Sequence, residues 1–211
     1  MSDAAGKYDK VAETYSTRYG DARRVAATQV RLITEWGRPV TPGSRILELG
    51  CADGLVTAEL ARRGFLVTAV DVSPRMIEVA DRRLRDQGLK AELCVGDIGD
   101  LRVGGDFAAV LGVMRTFFQY ARDPRATLTL LSRLAPKVVV DVNPRENSVK
   151  DCVRVVREGG FARVEVRADF VPTHARPGSI LRSGLHIAER VPGLRDAILR
   201  IHFVQVIKGE R

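Results

Sequence analysis

Three acidic side chains lie at the ends of consecutive apolar runs, where they could act on one common ligand. Glu48 lies within the run RILEL, Asp71 ends LVTAV and Asp97 follows AELCV. If these runs are parallel strands, their carboxyl ends share one edge of a sheet, which is where α/β folds bind ligands. A carboxylate that ends the second strand is suited to accept both hydroxyls of a ribose. One that ends the third strand could accept the exocyclic amine of an adenine.

A turn of small residues follows the first run, in the segment ILELGCADGL (residues 46–55). Gly50 and Gly54 lack side chains where a backbone must come close to a ligand, and Asp53 is a residue type that caps a following helix. Each residue alone also fits an ordinary turn or cap. Their register with three successive strands favours a ligand site.

The elements that must position these residues alternate along the chain. Short apolar runs alternate with amphipathic stretches at residues 53–63, 74–86, 123–134 and 149–158. Strands that alternate with helices imply right-handed crossovers and a mainly parallel, doubly wound sheet. Before them, helical spacing over residues 7–36 predicts a two-helix N-terminal cap, which the segment GRPVTPG ends.

The composition is that of an ordinary globular protein with one core, since the 211 residues are 45% hydrophobic. No stretch approaches the roughly 20 apolar residues that a membrane helix needs, and the polar N-terminus does not resemble a signal peptide. We therefore expect a cytoplasmic protein without a membrane span. Cys51, Cys94 and Cys152 are scattered singly, which predicts reduced thiols and no metal site.

The formal net charge of +8 could indicate a polyanionic partner. The arginines, however, are interleaved with acids in segments such as ADRRLRDQ and ARDPRATL, which is typical of a solvated helix face. The sequence therefore favours a small-molecule substrate over nucleic acid, and we expect a monomer or homodimer.

Residues 46–97 resemble the cofactor half of the class I S-adenosylmethionine-dependent methyltransferases. LELGCADG is similar to their first motif, AVDVSPRMIEVA to their second strand with its ribose acid, and CVGDI to their third strand. The resemblance continues through DFAAVLGVM and LAPKVVVDV and fails mainly in residues 171–199. It implies a Rossmann-like, doubly wound α/β fold with a mainly parallel seven-stranded sheet, an antiparallel last strand and an N-terminal helical cap.

The resemblance also implies an activity and a division of the chain. The activity is methyl transfer from S-adenosyl-L-methionine to an O, N or C atom of a small biosynthetic metabolite, which leaves S-adenosyl-L-homocysteine as product. The single domain, residues 1–211, divides into a helical lid (1–40), a cofactor-binding core (41–170), a substrate-side insertion (171–199) and a last strand (200–211).

A cofactor site is implied residue by residue. The turn from Gly50 to Gly54 would wrap the methionine part, Asp71 would hold the ribose and Asp97 the adenine amine, while Arg24 would pair with the cofactor carboxylate. The implied cofactor-binding residues are Tyr15, Arg24, Glu48, Gly50, Cys51, Ala52, Asp53, Gly54, Asp71, Val72, Met76, Asp97, Ile98 and Gly112.

The remaining members of this set would lie on the flanks of the cofactor. Val72 and Met76 would pack on the adenine, and Ile98 would flank the ring. Gly112, at the end of the fourth strand, would lie beside the methionine moiety. Tyr15 belongs to YDKVAETY, which resembles the lid signature of the family, and would contact the bound cofactor.

The chain departs from the family pattern in the middle of the first motif. The commonest form has glycine where this chain has Ala52. A methyl group is tolerated there only at a negative φ, and we expect Ala52 to adopt one. With that conformation the missing glycine is a minor variation.

Substrate-side residues follow the fourth and fifth strands. GVMRTFFQY replaces a histidine of many relatives with an arginine and aromatic residues, which fit either core packing or a pocket wall. In the insertion, His174 is a candidate general base, because imidazole titrates near neutral pH, although it also fits an exposed surface. The candidate substrate-binding residues are Arg115, Phe117, Tyr120, Asn143 and Arg145.

Three other functions stay open. The positive charge fits an RNA or DNA methyltransferase, although the position of the Asn/Asp-Pro-Pro-aromatic motif of adenine-methylating relatives reads GVMR here. A nicotinamide-dependent oxidoreductase needs G-x-G-x-x-G, whereas glycines fill only the first and fifth places of GCADG. The third is a catalytically silent methyltransferase-like module that only binds a ligand or partner, and a turnover assay distinguishes it from an enzyme.

Overall fold

Seven strands form one sheet in the part of the chain that the computed structural model describes, which is residues 3–18, 22–37, 39–112, 117–143, 146–169 and 204–211. The strand order is β3-β2-β1-β4-β5-β7-β6. The strands are β1 (Arg45–Leu49), β2 (Leu66–Asp71), β3 (Glu92–Val95), β4 (Ala109–Gly112), β5 (Lys137–Val142), β6 (Arg163–Asp169) and β7 (Val204–Glu210).

Parallel pairing holds from β3 through β5, and β7 runs antiparallel to both β5 and β6. The predicted doubly wound sheet with an antiparallel last strand is therefore confirmed. The chain winds from β1 towards β3 and then crosses to β4 on the other side of β1. The strand order thus reverses beside β1, and a crevice opens at the carboxyl ends of β1 and β4.

Helices flank the sheet on both faces. Those of the doubly wound part have clear local start signals: α4 begins with Ser73 as N-cap and proline in the first turn, and its serine Oγ accepts from the amide of Met76. The helices are α1 (Asp3–Asp9), α2 (Ala22–Thr34), α3 (Leu55–Arg62), α4 (Pro74–Asp86), α5 (Phe117–Tyr120), α6 (Pro124–Leu134) and α7 (Val149–Glu158), with 3-10 helices at Ala12–Arg18 and Ile98–Asp100.

The core consists of two apolar layers, one on each face of the sheet. Because strands alternate their side chains between faces, Ile46 packs with α2 and α3, whereas Leu47 packs with α5, α6 and α7. Residues 46–49 of β1 are buried on both faces of the sheet, which explains why this strand appears in the sequence as an apolar run. No helix of the described residues is long and apolar enough to cross a membrane.

The N-terminal region differs from the predicted two-helix lid. It contains α1, a 3-10 helix and α2, and α2 belongs to the core layer, with Val30 and Ile33 fully buried. The ammonium of Lys137, at the start of β5, donates to the carbonyl oxygens of Ile33 and Trp36 at 2.7 and 2.6 Å and so holds the end of α2. Residues 3–18, here termed the cover segment, contribute Ala4, Tyr8 and Tyr15 to the lining of the crevice.

Trp36 occupies the opposite side of the molecule from the crevice, at the amino ends of the central strands. Its indole Nε1 donates to Glu165 Oε2 at 2.9 Å, and Lys208 Nζ lies 5.6 Å from the ring centroid. The indole is 1% exposed. The predicted insertion (171–199) and residues 200–203 of the predicted last strand lie outside the described residues.

The close packing of Gly209, on β7, against Phe161 and Val156 provides a test of the fold. A Cβ added at Gly209 would lie 2.7 Å from Phe161 Cβ and 2.9 Å from Val156 Cγ1, so Gly209→Ala should lower the free energy of unfolding by about 1–3 kcal/mol. Gly104→Ala is the matched control, because nothing lies within 4 Å of its added Cβ. Urea unfolding measures both variants, and equal losses would contradict the described packing of β7.

Candidate cofactor site

A cleft opens at the carboxyl edge of the sheet, between the cover segment and the ends of β1, β2 and β3. The space between its walls is about 730 Å³ when the open mouth is included. Its lining residues are Ala4, Tyr8, Tyr15, Gly50, Ala52, Asp71, Val72, Asp97, Ile98, Tyr120 and Arg122. Eight of these eleven residues are ones that the sequence analysis predicted to contact the cofactor or the substrate.

The turn after β1 is built from alternating left-handed residues. Gly50, Ala52 and Gly54 have φ values of 70°, 48° and 73°, and Ala52 is the one non-glycine with positive φ among the described residues. The predicted negative φ at Ala52 is wrong. The conformation aims the Ala52 amide at Asp71, whose Oδ2 accepts from it at 2.9 Å. A left-handed backbone costs an L-residue about 1–2 kcal/mol, so the turn holds a strained residue at the cleft.

Asp53 is not the helix cap that its type predicts. Gly54 occupies the N-cap of α3 and the helix has no side-chain cap. The Asp53 carboxylate instead accepts from Arg83 at 2.6 Å, with its side chain 3% exposed. Gly54 does not line the cleft; a Cβ there would lie 2.7 Å from Ala80 Cβ, so the contact between the turn and α4 requires glycine.

Asp71 is held by two backbone amides at the end of β2. Its Oδ2 accepts from Ala52 N–H and its Oδ1 from Ser73 N–H, each at 2.9 Å. Burial raises the pKa of this carboxyl above its ordinary value, although the two amide hydrogen bonds oppose the shift. Each oxygen carries a further lone pair. Asp71 can therefore accept additional hydrogen bonds from a ligand in the cleft.

Glu48 lies below the turn in a second, smaller cavity of about 430 Å³, which adjoins the cleft through Tyr15, Gly50 and Ala52. Its Oε2 accepts from Thr57 Oγ1 at 2.7 Å, and burial raises the pKa of Glu48 to about 8, with the charges of Asp71 and Asp53 adding to the effect. This cavity is lined by Tyr15, Val25, Glu48, Leu49, Gly50, Cys51, Ala52, Asp53, Leu55 and Val56.

Cys51 lines the same cavity but is not suited to act as a nucleophile. Burial raises the pKa of its thiol well above the ordinary value, and the charges of Glu48 and Asp71 raise it further. The thiol therefore stays protonated at neutral pH, and thiolate is the reactive form.

Asp97 performs the cap function and lines the cleft at the same time. Its Oδ1 accepts from the amide of Gly99 at 2.8 Å, which starts the short 3-10 helix, and its Oδ2 lies 3.4 Å from the Arg122 guanidinium. Ile98 and Val72 add apolar surface to the lining of the cleft. The arrangement offers a carboxylate acceptor at the edge of an apolar slot, which fits a flat heteroaromatic ring.

A cluster of three tyrosines covers the cleft. The hydroxyls of Tyr8 and Tyr120 lie 2.7 Å apart and join α1 to α5. Tyr8 meets Tyr15 and Tyr120 edge-on, with ring centroids 6.2 and 6.0 Å apart. Burial and the Tyr120 hydrogen bond raise the pKa of Tyr8, so this hydroxyl stays protonated.

Sequence reasoning missed Ala4, Tyr8 and Arg122 as lining residues. A signal for Tyr8 was present, because it stands seven residues before Tyr15 and such spacing puts two side chains on one helical face. Arg122 gave no local signal, because its place depends on the fold of the segment between β4 and α6.

Four predicted residues lie elsewhere in the fold. Met76 is 1% exposed and packs with Ala12 and Val79. Phe117 is fully buried in the core, 5.2 Å from the Phe118 ring, and does not line the cleft. Neither Gly112 nor Asn143 lines the cleft or its adjoining cavity.

Other predictions concern parts of the chain that cannot be compared with the structure. Arg115, Arg145 and His174 lie outside the described residues, as does the side chain of Arg24. The described residues contain no group of three or more His, Cys, Asp or Glu side chains that could hold a metal ion.

Comparison with known proteins bears on this geometry. Residues 46–137, which include β1 to β4 and the cleft turn, match the family model described as methyltransferase domain. The match covers a little under half of the chain, and this part of the chain is similar to methyltransferase domains. The matched residues include Glu48, Asp71 and Asp97, which lie at the cleft or in the cavity that adjoins it.

Curated relatives are similar to about half of this chain. The magnesium-protoporphyrin O-methyltransferase of Rhodobacter capsulatus is 37% identical over 99 residues, which cover 46% of this chain and 44% of that protein. The ubiquinone biosynthesis O-methyltransferase of Xanthomonas campestris pv. campestris is 31% identical over 111 residues, which cover 52% and 46%. The match thus spans about half the length of these relatives.

A solved structure has a similar fold. The magnesium protoporphyrin IX methyltransferase from Synechocystis PCC 6803, crystallised with bound SAM, superposes with a TM-score of 0.62 at 16% identity, covering 100% of this chain and 85% of that one. At this identity the likeness shows the fold alone.

Strain at Ala52 yields a stability test of the turn after β1. Ala52→Gly removes the left-handed penalty but adds unfolded-state entropy, so the free energy of unfolding should stay unchanged or rise by up to about 1 kcal/mol. Ala61→Gly, in the last turn of α3, should lower it by roughly 0.5 kcal/mol. Urea unfolding compares the two, and equal losses would show that Ala52 is not strained.

The raised pKa of Glu48 yields a pH dependence of stability. The folded state binds the Glu48 proton more tightly than the unfolded state, so this contribution is present below the ordinary pKa of 4.5 and is lost as pH rises through about 8. Glu48→Gln, which mimics the protonated acid, should therefore gain stability over wild type as pH rises from 5 to 8. Chemical unfolding across this range measures the difference, with the exposed Glu35→Gln as control; parallel curves for Glu48→Gln and wild type would contradict it.

Proposed function

We propose that this chain binds S-adenosyl-L-methionine in the cleft and transfers its methyl group to an O, N or C atom of a small metabolite, with S-adenosyl-L-homocysteine as product. The observation that carries the proposal is the convergence of Asp71, Asp97 and the left-handed turn on one cleft. Two carboxylates and an apolar slot match the ribose, the adenine amine and the adenine ring of that cofactor.

The residues present fit the cofactor. Asp71 has unused lone pairs on both oxygens after accepting two amides, which suits paired ribose hydroxyls. Val72 and Ile98 flank the slot next to Asp97. The methionine part would run along the turn at residues 50–54 towards the adjoining cavity with Glu48.

The cofactor supplies an electrophilic methyl group on a sulfonium when it is bound. The chain's own contribution is positioning, because in-line displacement requires the acceptor atom near the methyl along the bond axis. Tyr8, Tyr15 and Tyr120 line the cleft, and Tyr8, whose pKa is raised by burial, keeps its proton and does not act as a base. His174 stays the proposed general base.

The acceptor is proposed to be a small molecule. The curated relatives carry names of O-methyltransferases for magnesium-protoporphyrin and for ubiquinone biosynthesis, which supports an acceptor of that size class. Tyr120, at the rim of the cleft, Asn143 and the predicted Arg115 and Arg145 would contact it. We also propose a cytoplasmic monomer or homodimer.

The charge of α4 supports this choice over nucleic acid. Although four arginines lie on this helix, each has an acidic partner, so they do not form a free basic stripe. The pairs are Arg75 with Glu13 and Glu78, Arg82 with Glu13, Arg83 with Asp53, and Arg85 with Asp81.

Binding of S-adenosylhomocysteine tests the cofactor site. Isothermal titration should detect binding to wild type, and Asp71→Asn should weaken it by about tenfold to a hundredfold, because a charge-assisted hydrogen bond is lost. Asp100→Asn, an exposed acid outside the cleft, is the matched control and should bind as wild type. Absence of binding to wild type would end the proposal.

The destination of the methyl group tests the acceptor class. With tritium-labelled S-adenosylmethionine and a fractionated cell extract, label should enter the small-molecule fraction in the presence of wild type and not of Asp71→Asn. Label in the nucleic-acid fraction would instead favour an RNA or DNA methyltransferase.

A further inference from the structure

One arginine side chain contacts both the turn and the cover segment. Arg83, on α4, donates from Nε to the carbonyl oxygen of Asp53 at 2.7 Å and from Nη2 to its Oδ2 at 2.6 Å. The same Nη2 lies 3.0 Å from Ser16 Oγ in the 3-10 helix of the cover segment. The guanidinium thus joins three separate parts of the chain.

The position of Asp53 makes this contact important for the shape of the turn. Asp53 lies between Ala52 and Gly54, which both have positive φ. Two hydrogen bonds to one residue, one of them to its main chain, restrict rotation on both sides of it. A strained backbone persists only where its surroundings over-determine it, and Arg83 is the side chain that does so from α4.

The other end of the contact lies on the cover segment. Residues 3–18 are also held to α4 by Ser73 Oγ, which donates to Asp9 at 2.5 Å, and by Arg82, which donates to Glu13 at 2.6 Å. These contacts do not include the turn. The guanidinium of Arg83 hydrogen-bonds to both the cover segment and the turn, and its side chain is 24% exposed.

We propose that Arg83 is a positioning residue that couples closure of the cover segment to the cofactor-binding shape of the turn at residues 50–54. The inference rests on the proposed function, since it assigns that turn to the cofactor. When the cover closes, Ser16 completes the coordination of the guanidinium, which then holds Asp53 and, through it, the Ala52 amide directed at Asp71. Arg83 itself does not line the cleft.

Arg83→Lys is the principal variant, because it keeps the charge beside the buried Asp53 while a single ammonium cannot reproduce the fork of contacts. We expect S-adenosylhomocysteine to bind about tenfold more weakly, which corresponds to one charge-assisted hydrogen bond. In turnover, KM for S-adenosylmethionine should rise while kcat stays near wild type, as for loss of uniform binding. Arg85→Lys on the same helix, exposed and paired only with Asp81, should behave as wild type.

Hydrogen exchange of the ligand-free protein tests the coupling without any cofactor. In Arg83→Lys, the amides of both residues 50–54 and residues 12–18 should exchange faster than in wild type. In Arg82→Lys, which loses only a cover contact, acceleration should be confined to residues 12–18. If Arg83→Lys leaves the turn protected, the coupling is disproved whether or not the wild type binds cofactor.

Ala52→Gly supplies a rescue that a merely structural arginine would not show. If Arg83 holds a strained turn, removing the strain should reduce the effect of Arg83→Lys on affinity from about tenfold to less than about threefold. Additive losses in the double variant would overturn the proposal. Failure of wild type to bind S-adenosylhomocysteine, with the exchange pattern intact, would instead refute only the proposed function.

Discussion

The site depends on one buried carboxylate held by main-chain amides. Asp71 accepts from Ala52, in the turn after β1, and from Ser73, which starts α4. A carboxylate that loses water needs such donors, and the two donors in turn fix the positions of both loops. The left-handed backbone at Ala52, the entry of α4 and the floor of the cleft all follow from this pair of hydrogen bonds.

Three carboxylates surround the turn, and the fold treats each differently. Asp53 is neutralised by Arg83, Asp71 is solvated by amides, and Glu48 is buried with its pKa raised to about 8. A row of ionised acids at this spacing would repel and destabilise the loop. Because Asp53 is paired with Arg83 and Glu48 is inclined to hold its proton, the turn keeps several hydrogen-bond acceptors without a large uncompensated negative charge.

Local patterns predicted the sheet and most helix starts, but they did not predict how distant groups meet. Ser73 and Pro74 form a cap and first turn that are legible in the sequence, and α4 has the predicted bounds. The φ of Ala52 depends on a carboxylate 19 residues away, and the role of Asp53 on a guanidinium 30 residues away. The amphipathic pattern of α2 fits a lid or a core layer equally well, and only the packing against the sheet distinguishes them.

The position of Trp36 determines which part of the protein its fluorescence reports on. It is the one tryptophan of the 211 residues, and it is sealed at the amino ends of the strands beside Glu165 and Lys208. The chromophores at the cleft are tyrosines. Tryptophan fluorescence therefore reports whether the sheet is folded. Ultraviolet difference spectra of the tyrosines report changes at the cleft. The two signals differ in wavelength and can be followed separately.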